Sequence, residues 1–237
     1  MDTRIDEVAD GIYQIATYMP EMDFGFNQYL IAGDEPVLFH TGMRGVFPIV
    51  REHVAKVLPP ETLRWISFGH VEADECGSMN EWLAVAPNAT VIASTTACMV
   101  QLGDLCDRQP TPLADGADFT AGARTLRWYD TPHIPHGWEA GVLYDATSKT
   151  LFCGDLLSCT GNYEATTDTD RVGPASAAED MFHSFSLAPN SATRVRQLAE
   201  LDISALAIMH GPVYTGDCRE ALLGLADDLD KRIAAAS

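Results

Sequence analysis

Positive charge is scarce in this chain. Its 15 lysines and arginines face 34 aspartates and glutamates, which leaves a formal net charge of −19. A surface of that sign repels phosphate backbones and anionic lipid headgroups, so nucleic acid and membrane are set aside as partners. Long apolar runs are missing too: no stretch reaches the roughly 18 apolar residues that a membrane span needs. The opening MDTRIDEVADGIYQIATYMP carries acids and no apolar h-region, so it does not read as a secretory signal, and a cytoplasmic protein is expected. The six cysteines (Cys76, Cys98, Cys106, Cys153, Cys159, Cys218) contain no CxxC pair. In a reducing compartment they read as packed thiols, not as a disulfide framework. Neither an internal repeat nor a low-complexity segment is visible. What remains is an ordinary globular composition of 237 residues, 46% hydrophobic, enough for a sizeable core.

Short β-type runs open the chain: GIYQIATY, NQYLIAG and PVLFHTG, with a turn signal at Gly33-Asp34-Glu35-Pro36. Residues 44–57 read as a helix that stops before Pro59 and Pro60. RWISFGH is a short buried strand closing on His70. SMNEWLAVA reads as a helix, TVIAS as a strand, and TTACMVQLGDLCD as a helix. The β pattern then restarts in DFTAGARTLRWYDTP, AGVLYDAT and KTLFCGD. Residues 160–190, rich in Thr, Asp, Ala and Pro, look like an insert with some helix. ATRVRQLAEL is helical, ISALAIMHG is a strand ending on His210, and REALLGLADDLDKRIAAA is a long amphipathic helix. Two halves, each strands first and helices after, predict an α+β fold of two sheets face to face with helices outside, an αββα four-layer sandwich.

Four places carry chemistry. In GHVEADE, His70, Glu72 and Asp74 are spaced i, i+2, i+4. On a strand all three would share a face; in a tight loop they could also converge. TPHIPHGWEAG holds His133 and His136 in a Pro- and Gly-rich loop, where one of the pair can be satisfied by a backbone carbonyl. TLFCGD puts Asp155 at the carboxyl end of an apolar run, a place where Asp also caps helices. LAIMHGPV does the same for His210, which could be structural. Each alone is ambiguous. Together, three apolar strands ending on His or Asp beside Gly gather ligand-type groups at one rim. Crowded carboxylates repel one another unless cations neutralise them. Two metals about 3.5–4 Å apart need a bridging carboxylate, and Asp155 is the candidate.

His70-x-Glu72-x-Asp74 followed by His136, Asp155 and His210 resembles the metallo-β-lactamase superfamily over nearly the whole chain, with a single domain at 1–237. The likeness is closest to the diiron domain of flavodiiron proteins and to stand-alone oxygen-binding diiron proteins. The resemblance implies that His70, Glu72 and His136 hold one metal, Asp74 and His210 the other, and that Asp155 bridges. The spacing of His136 from Asp155 matches the family's usual gap, which makes His133 a supporting or pocket residue. Glu72 stands where hydrolytic members have histidine, which shifts the expectation from two zinc ions to two iron ions. Glu75 departs from the family, which has histidine after this aspartate; it could ligate, point away or leave a position open.

The expected function is therefore a non-haem diiron protein that binds or reduces O2, or NO, as a sensor or with an external electron donor. No Gly-rich phosphate loop follows a strand, so no FMN domain is expected in this chain and electrons would come from a separate redox protein. The alternative is a dinuclear hydrolase acting on an ester, thioester or phosphoester through a metal-bound hydroxide. Few basic residues flank the motifs, which favours a small neutral ligand. Cys76, Trp138, Tyr163 and Phe182 are candidate pocket neighbours. The acidic surface suits a monomer or a homodimer, and dimers are common in the family.

Overall fold

The computed structural model describes residues 1–236. Its strands form two seven-stranded sheets. In the first, Asp2–Ala9, Ile12–Met19, Phe24–Ile31, Val37–Phe39, Trp65–Ser67, Thr90–Ser94 and Thr111–Leu113 pair in chain order. The pairing is antiparallel up to Val37–Phe39 and parallel from there on. The second sheet runs Thr166–Thr167, Val213–Tyr214, Ala205–Ala207, Thr150–Phe152, Gly141–Asp145, Arg124–Asp130, Asp118–Ala121.

Period-two alternation sorts each strand's side chains between two faces. Ile15, Leu30 and Leu38 face outward and pack with Val50, Trp82 and Leu83 of the flanking helices. Their neighbours Tyr29, Ile31, Val37 and Phe39 face inward and meet Trp128, Leu143 and Phe152 of the second sheet. On that sheet's far side, Val142, Leu151 and Leu206 pack against Val195, Leu198, Leu222 and Leu225. Those last four belong to the helices Ser191–Leu198 and Cys218–Ala236. The layers are thus helix, sheet, sheet, helix, as the sequence pattern predicts.

Boundaries differ from the sequence expectation in ways that have causes. Asp2–Ala9 is a strand the hydrophobic pattern hides, because only Ile5 and Val8 stand out among Asp2, Arg4, Asp6 and Glu7. A charged edge strand of that kind discourages pairing with other chains. The β pattern over residues 118–130 resolves into a hairpin turning at Gly122 with φ +59°. The expected helix at 44–57 is a 3-10 turn, Arg44–Val46, followed by the α-helix Phe47–Val54. The segment 95–105 is helical but widens into a π turn at Cys98–Leu102. Within 160–190 the ordered elements are Thr166–Thr167 and the helix Val172–Phe182.

The strands before His70 and His210 are shorter than expected. They leave the ladder at Ser67 and Ala207, and the following residues build loops instead. Thr150–Phe152 and Ala205–Ala207 run parallel, as do Val37–Phe39 and Trp65–Ser67. Loops therefore emerge together at one rim of the stacked sheets. No helix is long and apolar enough to cross a membrane among the described residues.

Phe152 anchors the inter-sheet layer. It is fully buried, with ring centroids 5.6 Å from Tyr29 and 5.3 Å from Phe39. Phe152→Ala should cost about 3–5 kcal/mol in urea unfolding. A loss below about 1 kcal/mol would mean that this layer is not the core it looks to be.

Candidate metal centre

GHVEADE is neither strand nor uniform loop. His70 and Glu72 lie in the turn after Trp65–Ser67, and Asp74 sits in a one-turn helix, Ala73–Cys76. His136 comes from the loop between Arg124–Asp130 and Gly141–Asp145. Asp155 follows Thr150–Phe152, and His210 follows Ala205–Ala207. Each sheet thus contributes three of the six residues. All six come together.

His70, Glu72, His136 and Asp155 offer ligand atoms within 4.8 Å of one another. Glu72 Oε2 lies 2.8 Å from His70 Nε2 and 2.9 Å from His136 Nε2. On the other side, His210 Nε2 is 3.3 Å from Asp74 and 3.2 Å from Asp155. Asp155 faces both groups, with its second oxygen 3.8 Å from His70 Nε2. The arrangement is two clusters sharing one carboxylate.

The outer nitrogens of the rings are anchored. His210 Nδ1 is 2.8 Å from the Gly25 carbonyl and His136 Nδ1 is 3.1 Å from that of Ser184. An Nδ1–H donated outward leaves the Nε2 lone pair for the centre. For His70 the outer partner is Glu75, whose Oε1 lies 3.2 Å from Nδ1. Glu75 also accepts the His70 backbone N–H at 2.7 Å and is fully buried. It stands behind His70, on the side of Nδ1. Two glycines make the room: a Cβ on Gly69 would sit 3.1 Å from Glu75, and one on Gly154, at φ +53°, 3.2 Å from it.

Charge follows this geometry. Burial works against a charge on His70, but Glu75 and Glu72 outweigh it and raise the ring well above the ordinary range. Burial likewise opposes charge on His210, yet the carboxylates of Asp155 and Asp74 beside its Nε2 raise it to about 10. Asp155 is pushed up by desolvation and down by His210 beside it, and settles at about 2. Hydrogen bonds from His136 and His70 hold Glu72 below the usual carboxylate range. Without cations, ring protons balance the carboxylates. Asp155 Oδ1 is nonetheless buried with no aligned hydrogen bond. An oxygen in that state fits a position that accepts a metal. Three imidazoles and three carboxylates suit iron, manganese or zinc.

His133 is exposed and lies outside the cluster, along a shallow recess it shares with Trp138. Phe182 lines the cavity in front of the centre. The other candidates Cys76 and Tyr163 do not: Cys76 packs against the outer core, and Tyr163 donates its hydroxyl to the Thr160 carbonyl at 2.6 Å. Sequence reasoning passed over His40 and Glu139. His40 is fully buried, 3.4 Å from Glu75 through Nε2 and 3.1 Å from the Asn27 carbonyl through Nδ1. VLFHTG ends an apolar strand on His just as the singled-out motifs do, so its signal was present. Glu139 accepts the Val71 N–H at 3.1 Å and steadies the turn between His70 and Glu72. No local pattern marks it.

Comparison with known proteins follows the same line. The model of a family described as ODP family beta lactamase matches residues 24–211. Flavo-diiron protein FprA2 of Clostridium acetobutylicum is 25% identical over 239 residues, covering 92% of this chain and 58% of that protein. Diflavin flavoprotein A 1 of Synechocystis sp. is 23% identical over 206 residues, covering 83% of this chain and 35% of that protein. The chain thus spans between about a third and three-fifths of these curated relatives. Rubredoxin oxygen:oxidoreductase from Desulfovibrio gigas superposes with a TM-score of 0.83 at 16% identity, over 96% of this chain and 62% of that one. At that identity the likeness speaks for the fold.

Two outcomes are expected. Asp155→Ala should strip both metals, since both clusters lean on it, whereas His133→Ala should leave metal content nearly intact by elemental analysis. If His133→Ala empties the centre and His136→Ala does not, the wrong histidine has been chosen. Metal loading should also expel protons, because His210 stays protonated below about 10 while a ligating ring must be neutral. Apparent affinity should therefore rise with pH below that value. Loading in weakly buffered solution with no acidification would show that the rings are already neutral.

Proposed function

The chain belongs to the ODP family beta lactamase, and from that premise we propose that it is a non-haem diiron protein that binds or reduces O2 or NO. His70, Glu72 and His136 would hold one iron, Asp74 and His210 the other, with Asp155 shared between them. The observation that carries this reading is the shared carboxylate: Asp155 faces His70 on one side and His210 on the other. Iron ions held there supply one-electron redox chemistry towards a small ligand.

The chain's own residues do the rest. Glu72 is drawn to both His70 and His136, which fixes one cluster. The carbonyls of Gly25 and Ser184 set the direction of His210 and His136. Glu75 holds His70 from behind, so the place after Asp74 serves orientation and brings no further ligand. Phe24 and Phe26 lie against the His210 ring, with centroids 4.3 Å and 5.2 Å away, and limit water on that side. A small neutral ligand suits such a wall better than an anion does. The names of the relatives, flavo-diiron protein and rubredoxin oxygen:oxidoreductase, support iron and O2 as the chemistry. A separate redox protein as electron donor belongs to the same reading.

Metal analysis of protein purified without added metal, with anaerobic spectra before and after O2, tests it. Two irons per chain and a new absorption band on O2 exposure are expected. Reversal of that band on removing O2 would point to a carrier or sensor, and its decay with oxidation of a donor to a reductase. Two zincs and no optical change would overturn the diiron reading in favour of a hydrolase.

A further inference from the structure

In front of the metal ligands lies a cavity of about 330 Å³. A diatomic ligand needs a small fraction of that. An apolar cavity of roughly 150 Å³ stays dry and takes one benzene, so this space matches a molecule of about two fused rings. Its walls are mostly apolar: Met22, Phe24, Phe26, Leu157, Phe182 and Phe185. Phe24 links the wall to the centre, with its ring 5.6 Å from Phe182 and 4.3 Å from His210. Met22 and Phe182 are 57% and 52% exposed at the mouth, a cost in water that an occupant would relieve.

Charge narrows the class of occupant. Among the described residues no lysine or arginine lines the cavity. Its buried acid away from the centre, Glu179, already accepts from the Ser184 N–H and hydroxyl and from the Phe185 N–H, at 2.9, 2.7 and 3.2 Å. Away from the metal end, an anion entering here would meet a carboxylate and no cationic side chain. Ser158, also on the wall, has a buried hydroxyl without a partner. One neutral polar atom on the occupant could satisfy it.

We propose that this cavity binds a neutral, largely apolar organic molecule of two-ring size, bearing one hydroxyl or carbonyl, directly against the metal ligands. The inference deepens the diiron reading and rests on it, because Glu72, Asp74, His136, Asp155 and His210 form the inner wall. The small-molecule site is thus wider than a gas-binding site, and the helix Val172–Phe182 is its outer wall.

The test is fluorescence titration of the metal-loaded protein with 2-naphthol and, as the charged counterpart, naphthalene-2-sulfonate, with metal content measured in parallel. 2-Naphthol should bind at least about tenfold more tightly than the sulfonate. Ala178→Trp, which fills the cavity from the helix, should weaken 2-naphthol about tenfold or more at unchanged metal content. Phe182→Ala removes an exposed wall residue and should weaken it several-fold; it carries the test if Ala178→Trp does not fold. Equal or tighter binding of the sulfonate, or affinity indifferent to both substitutions, would overturn the proposal. Two metals per chain with no naphthol binding would overturn the cavity's role alone. Naphthol binding by protein that takes up no metal would instead overturn the dinuclear reading.

Discussion

Crowding of negative charge at one rim is the constraint around which the rest is arranged. Glu72, Asp74, Glu75 and Asp155 converge on three imidazoles, in a place where Glu75 is fully buried and Asp155 nearly so. Isolated carboxylates there would be driven to neutralise. The structure instead surrounds them with positive partners. Glu75 accepts the His70 backbone N–H through one oxygen, and its other oxygen lies between the rings of His70 and His40, 3.2 and 3.4 Å away. The other three face one another across a gap that ring protons bridge and that metal ions bridge better. A charge arrangement like this is poor evidence of stability by itself; it makes sense as a site that binds cations.

The two sheets are part of that site. His70, Glu72 and Asp74 are carried by the first, and His136, Asp155 and His210 by the second. The six residues come together only when the inner faces are stacked, and the layer holding them together is Tyr29, Phe39, Trp128 and Phe152. Ligands bound across such a junction favour the folded state over the unfolded one. The junction is also tied by polar links: Asn27 and Tyr29 of the first sheet donate to the Ile208 carbonyl just before His210, at 2.8 and 2.6 Å. Tyr29 therefore both fills the core and fixes the approach to a metal-site histidine.

Much of this was legible in the residues. Apolar runs ending on His or Asp beside Gly mark the loops at the rim, because a buried strand can present a polar side chain only where it leaves the core. That pattern reads out Asp155 and His210 by position. It overstates the strands themselves, since Phe68 and Gly69, or Ile208 and Met209, are apolar or small without being in a ladder. Periodicity also failed at Asp2–Ala9, whose burial is partial and whose residues are mostly charged. Glu139 and Glu75 were illegible for a different reason. Their partners, Val71 N–H and the back of His70, depend on how two loops from different sheets meet.

Glu75 also explains the lopsidedness of the centre. A fourth carboxylate in the gap between Asp155 and its neighbours would add to the negative charge there. Beside the His70 ring, Glu75 raises the basicity of that ring. His70, with Glu75 behind it, is the member of the six that does not line the cavity; the other five do. The deeply buried His70 is thus turned from the aromatic wall, while residues of both clusters open onto it. Positioning and access are separated by one side chain: Glu75 stiffens His70 from behind, away from the aromatic cavity.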